Sequence, residues 1–127
     1  MNKYVLDASA LLALLNNETG ANIVEELLPE SVISSINFSE VVARLSLLGI
    51  PNDEIHNALD ILGLEIILFD SDLAYLTGNL AAPTKPFGLS IGDRACLALA
   101  MKTGRTAVTA DTIWGKIPVK VDVKLIR

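Results

Sequence analysis

Apolar residues along this chain fall into two patterns: short uncharged runs that stop at a polar or acidic residue, and longer stretches with a helical stripe. Tyr4-Val5-Leu6 is β-prone and stops at Asp7, as a strand buried on both faces does. From Ala8 the pattern turns helical, with Ala and Leu filling every turn until Asn16-Asn17. A helix opened by Thr19 or Gly20 carries Ile23-Val24 and Leu27-Leu28 and ends at Pro29. Residues 31–35 form a second strand. Val41, Val42, Leu45 and Leu48 mark a helix over residues 38–48, stopped by Gly49. Ile55, Leu59 and Leu62 mark another, started by Pro51-Asn52-Asp53. Residues 65–69 are a third strand, Asp70 caps a helix to about Leu80, and residues 83–86 are loop. An Ala-rich helix over 93–103 is closed by Gly104. A fourth strand over 105–110 ends at Asp111. A polar loop with Trp114 and Pro118 then leads to a last strand within 119–125.

Strands alternating with helices predict an α/β fold: a central parallel sheet of about five strands, flanked by helices in three layers. With 127 residues and no repeat, low-complexity tract or linker, the expectation is one domain over residues 1–127. The helices around 21–28, 38–48 and 55–62 carry more apolar residues than one sheet face covers, which predicts an apolar groove for a partner helix.

Composition adds three points. The chain is 51% hydrophobic with mean hydropathy +0.48, yet no run approaches 18 apolar residues, so no membrane span is expected. No basic segment leads into an apolar one near Met1, so no signal peptide is read. Cys96 has no partner for an internal disulfide and fits a reducing, cytoplasmic setting as a packed core thiol.

Charge argues against broad electrostatic binding of nucleic acid, with ten basic and fifteen acidic residues giving −5. The distribution is uneven. Residues 1–84 hold two basic and twelve acidic residues, residues 85–127 eight basic and three acidic, so a polyanion can still meet a positive face.

Four acids then stand out. Asp7 and Asp111 end strands, whereas Glu40 and Asp93 fall in what read as first turns of helices. Each has an ordinary structural explanation. Asp7 can cap the helix at Ala8, and Glu40 and Asp93 have the capping-box spacing from Asn37 and Ser90. Asp111 suits a turn. In a parallel sheet, however, strand C-termini and the following helix N-termini share one edge, so all four converge there. Carboxylates so crowded repel unless a cation intervenes, and hard divalent magnesium or manganese is the matching ion. Such an ion attracts phosphates and activates a water for in-line displacement. One His and one Cys make no zinc site, and His56 and Cys96, both placed within helices, are poor candidates for a nucleophilic triad.

At this point the chain resembles the PIN-domain ribonucleases, and within them the VapC-type toxins of prokaryotic toxin–antitoxin pairs. The likeness rests on Val5-Leu6-Asp7-Ala8-Ser9-Ala10-Leu11-Leu12-Ala13, Asn37-Phe38-Ser39-Glu40-Val41-Val42, the run from Leu89-Ser90-Ile91-Gly92-Asp93-Arg94 to Ala100, and Val108-Thr109-Ala110-Asp111. It implies a PIN-like fold, Mg²⁺ or Mn²⁺, endonucleolytic RNA cleavage, an inhibitory antitoxin and a homodimer. It also implies Asp7, Glu40, Asp93 and Asp111 as the catalytic, metal-binding cluster, with Ser9 and Thr109 as supporting groups. Arg94 would contact a phosphate or salt-bridge to the acids, and Lys85 and Lys116 are further candidates for substrate contact. The competing reading is a non-catalytic PIN-like module that binds RNA or protein without cutting. A phosphoacceptor domain using Asp7 and Lys116 has no other matching part.

Overall fold

A computed structural model describes residues 2–127. Strands β1 (Tyr4–Leu6), β2 (Ser31–Ser34), β3 (Glu65–Ile67), β4 (Thr106–Thr109) and β5 (Val123–Leu125) form one sheet in the order β3-β2-β1-β4-β5, every pairing parallel. β1 is central, as its lack of charge required. In register, Val5 stands beside Val32 and Ala107, and Leu6 beside Ile33 and Val108. The period of two sends the first set to one face and the second to the other.

Helices α1 (Ala8–Leu15), α2 (Ala21–Leu27), α3 (Ser35–Leu47) and α4 (Asn52–Asp60) cover the face of Leu6, Ile33 and Val108. Helices α5 (Ser71–Asn79), α6 (Ala81–Thr84) and α7 (Ile91–Thr103) belong to the opposite side. There, Leu73 of α5 and the buried run from Ala95 to Ala100 of α7 pack on Val5, Val32 and Ala107. The result is the anticipated three layers. Cys96 is fully buried, with Sγ 3.7 Å from Val5 O. No helix among the described residues is long and apolar enough to cross a membrane.

Three local expectations needed correction. The segment 83–86 is helical rather than loop, because Pro83 lies in the first turn of α6 and Pro86 in the 3₁₀ turn Lys85–Phe87, where a missing N–H costs nothing. The supposed polar loop around Trp114 is the 3₁₀ turn Thr112–Lys116, and Trp114 itself is buried in the core on the α7 side. The third correction bears on the site: α3 starts at Ser35, capped by the Ser34 side chain on Ile36 N, so Glu40 lies in its second turn.

The strand order also locates the site. The chain steps from β1 to β2 to β3 on one side, then returns to place β4 on the other side of β1. The carboxyl ends of β1 and β4 therefore flank a topological switch point, where open α/β sheets hold their ligands.

Candidate functional site

Asp7 directly follows β1 and continues its ladder, its N–H donating to Val108 O at 3.0 Å. It is 4% exposed, and it is the N-cap of α1. Its Oδ1 accepts from Ala10 N at 2.8 Å and from the Ser9 hydroxyl at 2.7 Å, and its Oδ2 accepts from the Thr109 hydroxyl at 2.5 Å. Both hydroxyls are in turn held from behind: Ser9 Oγ accepts from Ala110 N at 2.9 Å, and Thr109 Oγ1 accepts from Asp111 N at 3.0 Å. With each hydroxyl proton committed to Asp7, the 3.3 Å separation of the two oxygens is contact rather than a third bond. This small network ties the end of β4 to the start of α1.

Burial pushes the Asp7 pKa up to about 6; the Thr109, Ser9 and Ala10 donors oppose the rise, and the Asp93 charge adds to it. Thus three hydrogen bonds do not offset the loss of water around the carboxylate.

Glu40 is held differently. Its Oε1 accepts from Asn37 Nδ2 at 2.9 Å, and the same amide donates to Gly92 O at 2.9 Å, joining α3 to the first turn of α7. Although Glu40 as a residue is exposed, its carboxylate is turned in against Gly92. A Cβ at Gly92 would overlap that carboxylate, so glycine leaves the space in which the Glu40 carboxylate rests on α7. The loss of solvent raises the Glu40 pKa, Asn37 opposes the rise, and Asp93 adds to it. Asp93 forms the predicted capping box: its Oδ2 accepts from Ser90 N at 2.9 Å, and its own N–H donates to Ser90 Oγ at 3.2 Å. Asp111 caps the turn that follows, Oδ1 accepting from Ile113 N at 3.0 Å.

All four acids line one open cavity of about 440 Å³, together with Ser9, Asn37 and Arg44. The ordinary explanation and the convergent one are therefore both correct for Asp7, Asp93 and Asp111, which cap helical turns and face one another. Glu40 is no cap, because α3 begins earlier than its spacing from Asn37 suggested. Among the described residues, no three Asp, Glu, His or Cys side chains form a closed cage that could hold an ion as they stand. One oxygen of each of Glu40, Asp93 and Asp111 is engaged as an acceptor, while Glu40 Oε2, Asp93 Oδ1 and Asp111 Oδ2 accept no protein hydrogen bond. An all-oxygen donor set on residues that line an open cavity, each with an unbonded oxygen, fits a hard divalent cation that keeps waters and admits a phosphate.

The basic candidates lie elsewhere. Arg94 makes no salt bridge to the acids; its Nη1 donates to Thr77 O of α5 at 3.0 Å. Adjacent to Asp93 on a helix, it projects about 100° away around the axis. Lys85 and Lys116 are exposed and do not line the cavity. Sequence reasoning missed Asn37 as a bridge and Arg44 altogether; the available signal for Arg44 was its place one helical turn after Glu40. Cys96 is no nucleophile, since burial first, and then the charges of Asp7, Asp93 and Glu40, hold its pKa well above the usual thiol range.

Two of the three helices expected to form an apolar groove border a hollow, which Asn52 and Asp60 also line. Phe38 and Val42 of α3, Ile55, His56 and Leu59 of α4, and Ile66 of β3 line this hollow of about 250 Å³, to which α2 contributes nothing.

Comparison with known proteins agrees with this fold. Residues 4–120 match the family described as the PIN domain. Ribonuclease VapC42 of Mycobacterium tuberculosis is 28% identical over 110 residues, covering 79% of this chain and 84% of the relative. Among solved structures, VapBC2 from Rickettsia felis bound to a promoter DNA fragment aligns with TM-score 0.71 at 25% identity, covering 96% of this chain and 97% of that one. DNA-bound VapBC from Salmonella typhimurium aligns with TM-score 0.78 at 20% identity over the whole of both chains.

Proposed function

The chain belongs to the PIN-domain family, and on that premise we propose that it is a Mg²⁺- or Mn²⁺-dependent endoribonuclease, the toxin of a type II toxin–antitoxin pair. The nuclease unit spans residues 1–127, with Asp7, Glu40, Asp93 and Asp111 as its catalytic and metal-binding residues. The observation that carries this reading is the gathering of these four carboxylates, from residues far apart in sequence, in one cavity at the switch point of the sheet.

Glu40, Asp93 and Asp111 offer unbonded oxygens to the ion, and Asp7 offers a buried carboxylate that makes no salt bridge among the described residues. When bound, the ion supplies positive charge for the phosphate and a Lewis acid for water. The protein's own part is positioning. Ser9 and Thr109 hold the Asp7 carboxylate in one orientation, and Asn37 fixes Glu40 against α7. No protein nucleophile is required.

A protein partner also belongs to this reading. The hollow between α3 and α4, with Leu47, Leu48 and Ile61 exposed on the same helices and their ends, supports an apolar helix of an antitoxin as its occupant. Leu68, Tyr75 and Ile91, exposed beside the β3 edge and on α5 and α7, support a homodimer surface. A cytoplasmic setting accords with the reduced Cys96.

The test is incubation of purified protein with RNA in Mn²⁺ and in EDTA. Strand breaks that need Mn²⁺ are expected. RNA bound but left whole in Mn²⁺ would instead assign a non-catalytic binding module.

A further inference from the structure

Arg44 follows Glu40 by four residues on α3, the acid-first spacing at which the two side chains ordinarily pair along a helix. That pair does not form. The Glu40 carboxylate is drawn to Asn37 and Gly92, and among the described residues the Arg44 guanidinium makes no salt bridge and no hydrogen bond. Yet Arg44 lines the acidic cavity, one of the two basic residues in the acid-rich stretch 1–84.

Arg44 also borders a second hollow of about 350 Å³, lined with Ser9, Leu12, Asn16, Glu18, Leu48 and Arg127. Ser9, Leu12 and Arg44 belong to both hollows, so the two adjoin at Arg44. At its far side Arg127 is held in place, Nη1 lying 3.0 Å from Thr19 O and 3.4 Å from Glu18 Oε1. A strand passing from the first hollow toward the second meets carboxylates first, then an unpaired guanidinium, then Asn16 and Arg127, both already turned to the Glu18 carboxylate. A planar guanidinium fork matches phosphate oxygens, and one left unpaired beside a carboxylate cluster is free to take a phosphate.

We propose that Arg44 is a substrate-binding residue that takes the RNA phosphate next to the one at the carboxylates. This rests on the nuclease reading above.

The experiment is steady-state cleavage of a short single-stranded RNA in Mn²⁺ over a salt series, with the RNA dissociation constant measured by anisotropy in parallel. It compares wild type, Arg44→Gln, Arg44→Lys and, as a control of equal charge change, Lys124→Gln on exposed β5. Arg44→Gln should raise KM and Kd about tenfold, the scale of one lost bond to a charged group, with kcat within about twofold. The slope of log Kd against log salt should fall by about 0.7, one phosphate contact on a single strand. Arg44→Lys should recover part of the loss, and Lys124→Gln none of these changes. Arg44→Gln with wild-type Kd and salt slope overturns the proposal, as does an effect confined to kcat. Unchanged RNA affinity with weakened binding of the antitoxin overturns it too, assigning Arg44 to the protein partner. A wild-type protein that binds RNA without cutting ends the nuclease reading, while Kd and its salt slope still decide for or against Arg44.

Discussion

Asp93→Asn lowers metal-dependent RNA cleavage by about a hundredfold or more and leaves the fold intact. The substitution retains an oxygen that can accept from Ser90 N, so the capping box on α7 keeps its geometry. It removes one negative charge from a cavity that already sets Asp7 and Glu40 against Asp93. Relief of that repulsion opposes the loss of a favourable charge at a helix N-terminus, which is worth roughly 0.3–1 kcal/mol. Melting in EDTA should therefore be unchanged or higher, while electrostatic support of the transition state, worth about 10²–10³ in rate at comparable sites, is lost. An Asn variant that cleaves at near wild-type rate would make Asp93 a cap and nothing more.

In the absence of metal, the contribution of Asp7 to stability falls as pH rises from about 4 to about 6. Asp7 has its pKa raised from 3.8 to about 6 by burial. A carboxyl with a raised pKa binds its proton more tightly when folded, so below pH 3.8 both states are protonated and nothing is lost. Between the two values the unfolded chain releases the proton while the folded one keeps it, and stability declines until the folded group also ionises. A shift of this size corresponds to ~3 kcal/mol at neutral pH. The check is the difference in melting between wild type and Asp7→Asn across pH 3.5–7.5 in EDTA, roughly spanning both pKa values. A gap that moves against the wild type with rising pH is expected, and a flat gap would mean that Asp7 ionises without cost. At pH 7, Mn²⁺ at a hundred times its Kd should return ~2.7 kcal/mol to the wild type through binding to the folded state alone, and markedly less to Asp93→Asn.

The central sheet was legible because its signals are local. Tyr4 to Leu6 is a run of apolar residues cut off by an acid, and a strand buried on both faces has few other ways to be written. Asp70, Ser90 and Gly104 likewise end or begin helices by their own side chains or backbone. What spacing alone misjudged were positions whose partners are distant in sequence. Asn37 looked like a cap for Glu40, whereas its amide reaches across 55 residues to Gly92 O and Ser34 is the cap. Trp114 lies in a stretch with Asp111, Thr112 and Lys116 but is buried by packing against the α7 side of the sheet. Arg94 borders an acid in sequence and leaves it in space, whereas Arg44 lies far from three of the acids in sequence and lines their cavity. The convergence of the acids followed from topology, which alternation of strands and helices already implies. The free oxygens and the unpaired guanidinium did not, because they depend on which hydrogen bonds the other groups take.

Anomalous scattering from crystals of the protein soaked in Mn²⁺ tests directly whether these acids hold a metal. The expected result is a peak in the cavity, within about 2.5 Å of oxygens from at least two of Asp7, Glu40, Asp93 and Asp111, and absent from Asp93→Asn crystals under the same soak. No peak there at saturating Mn²⁺, or a peak only outside the cavity, would contradict it and leave Asp7, Asp93 and Asp111 as caps, and Glu40 as a link between α3 and α7, that happen to share an edge of the sheet.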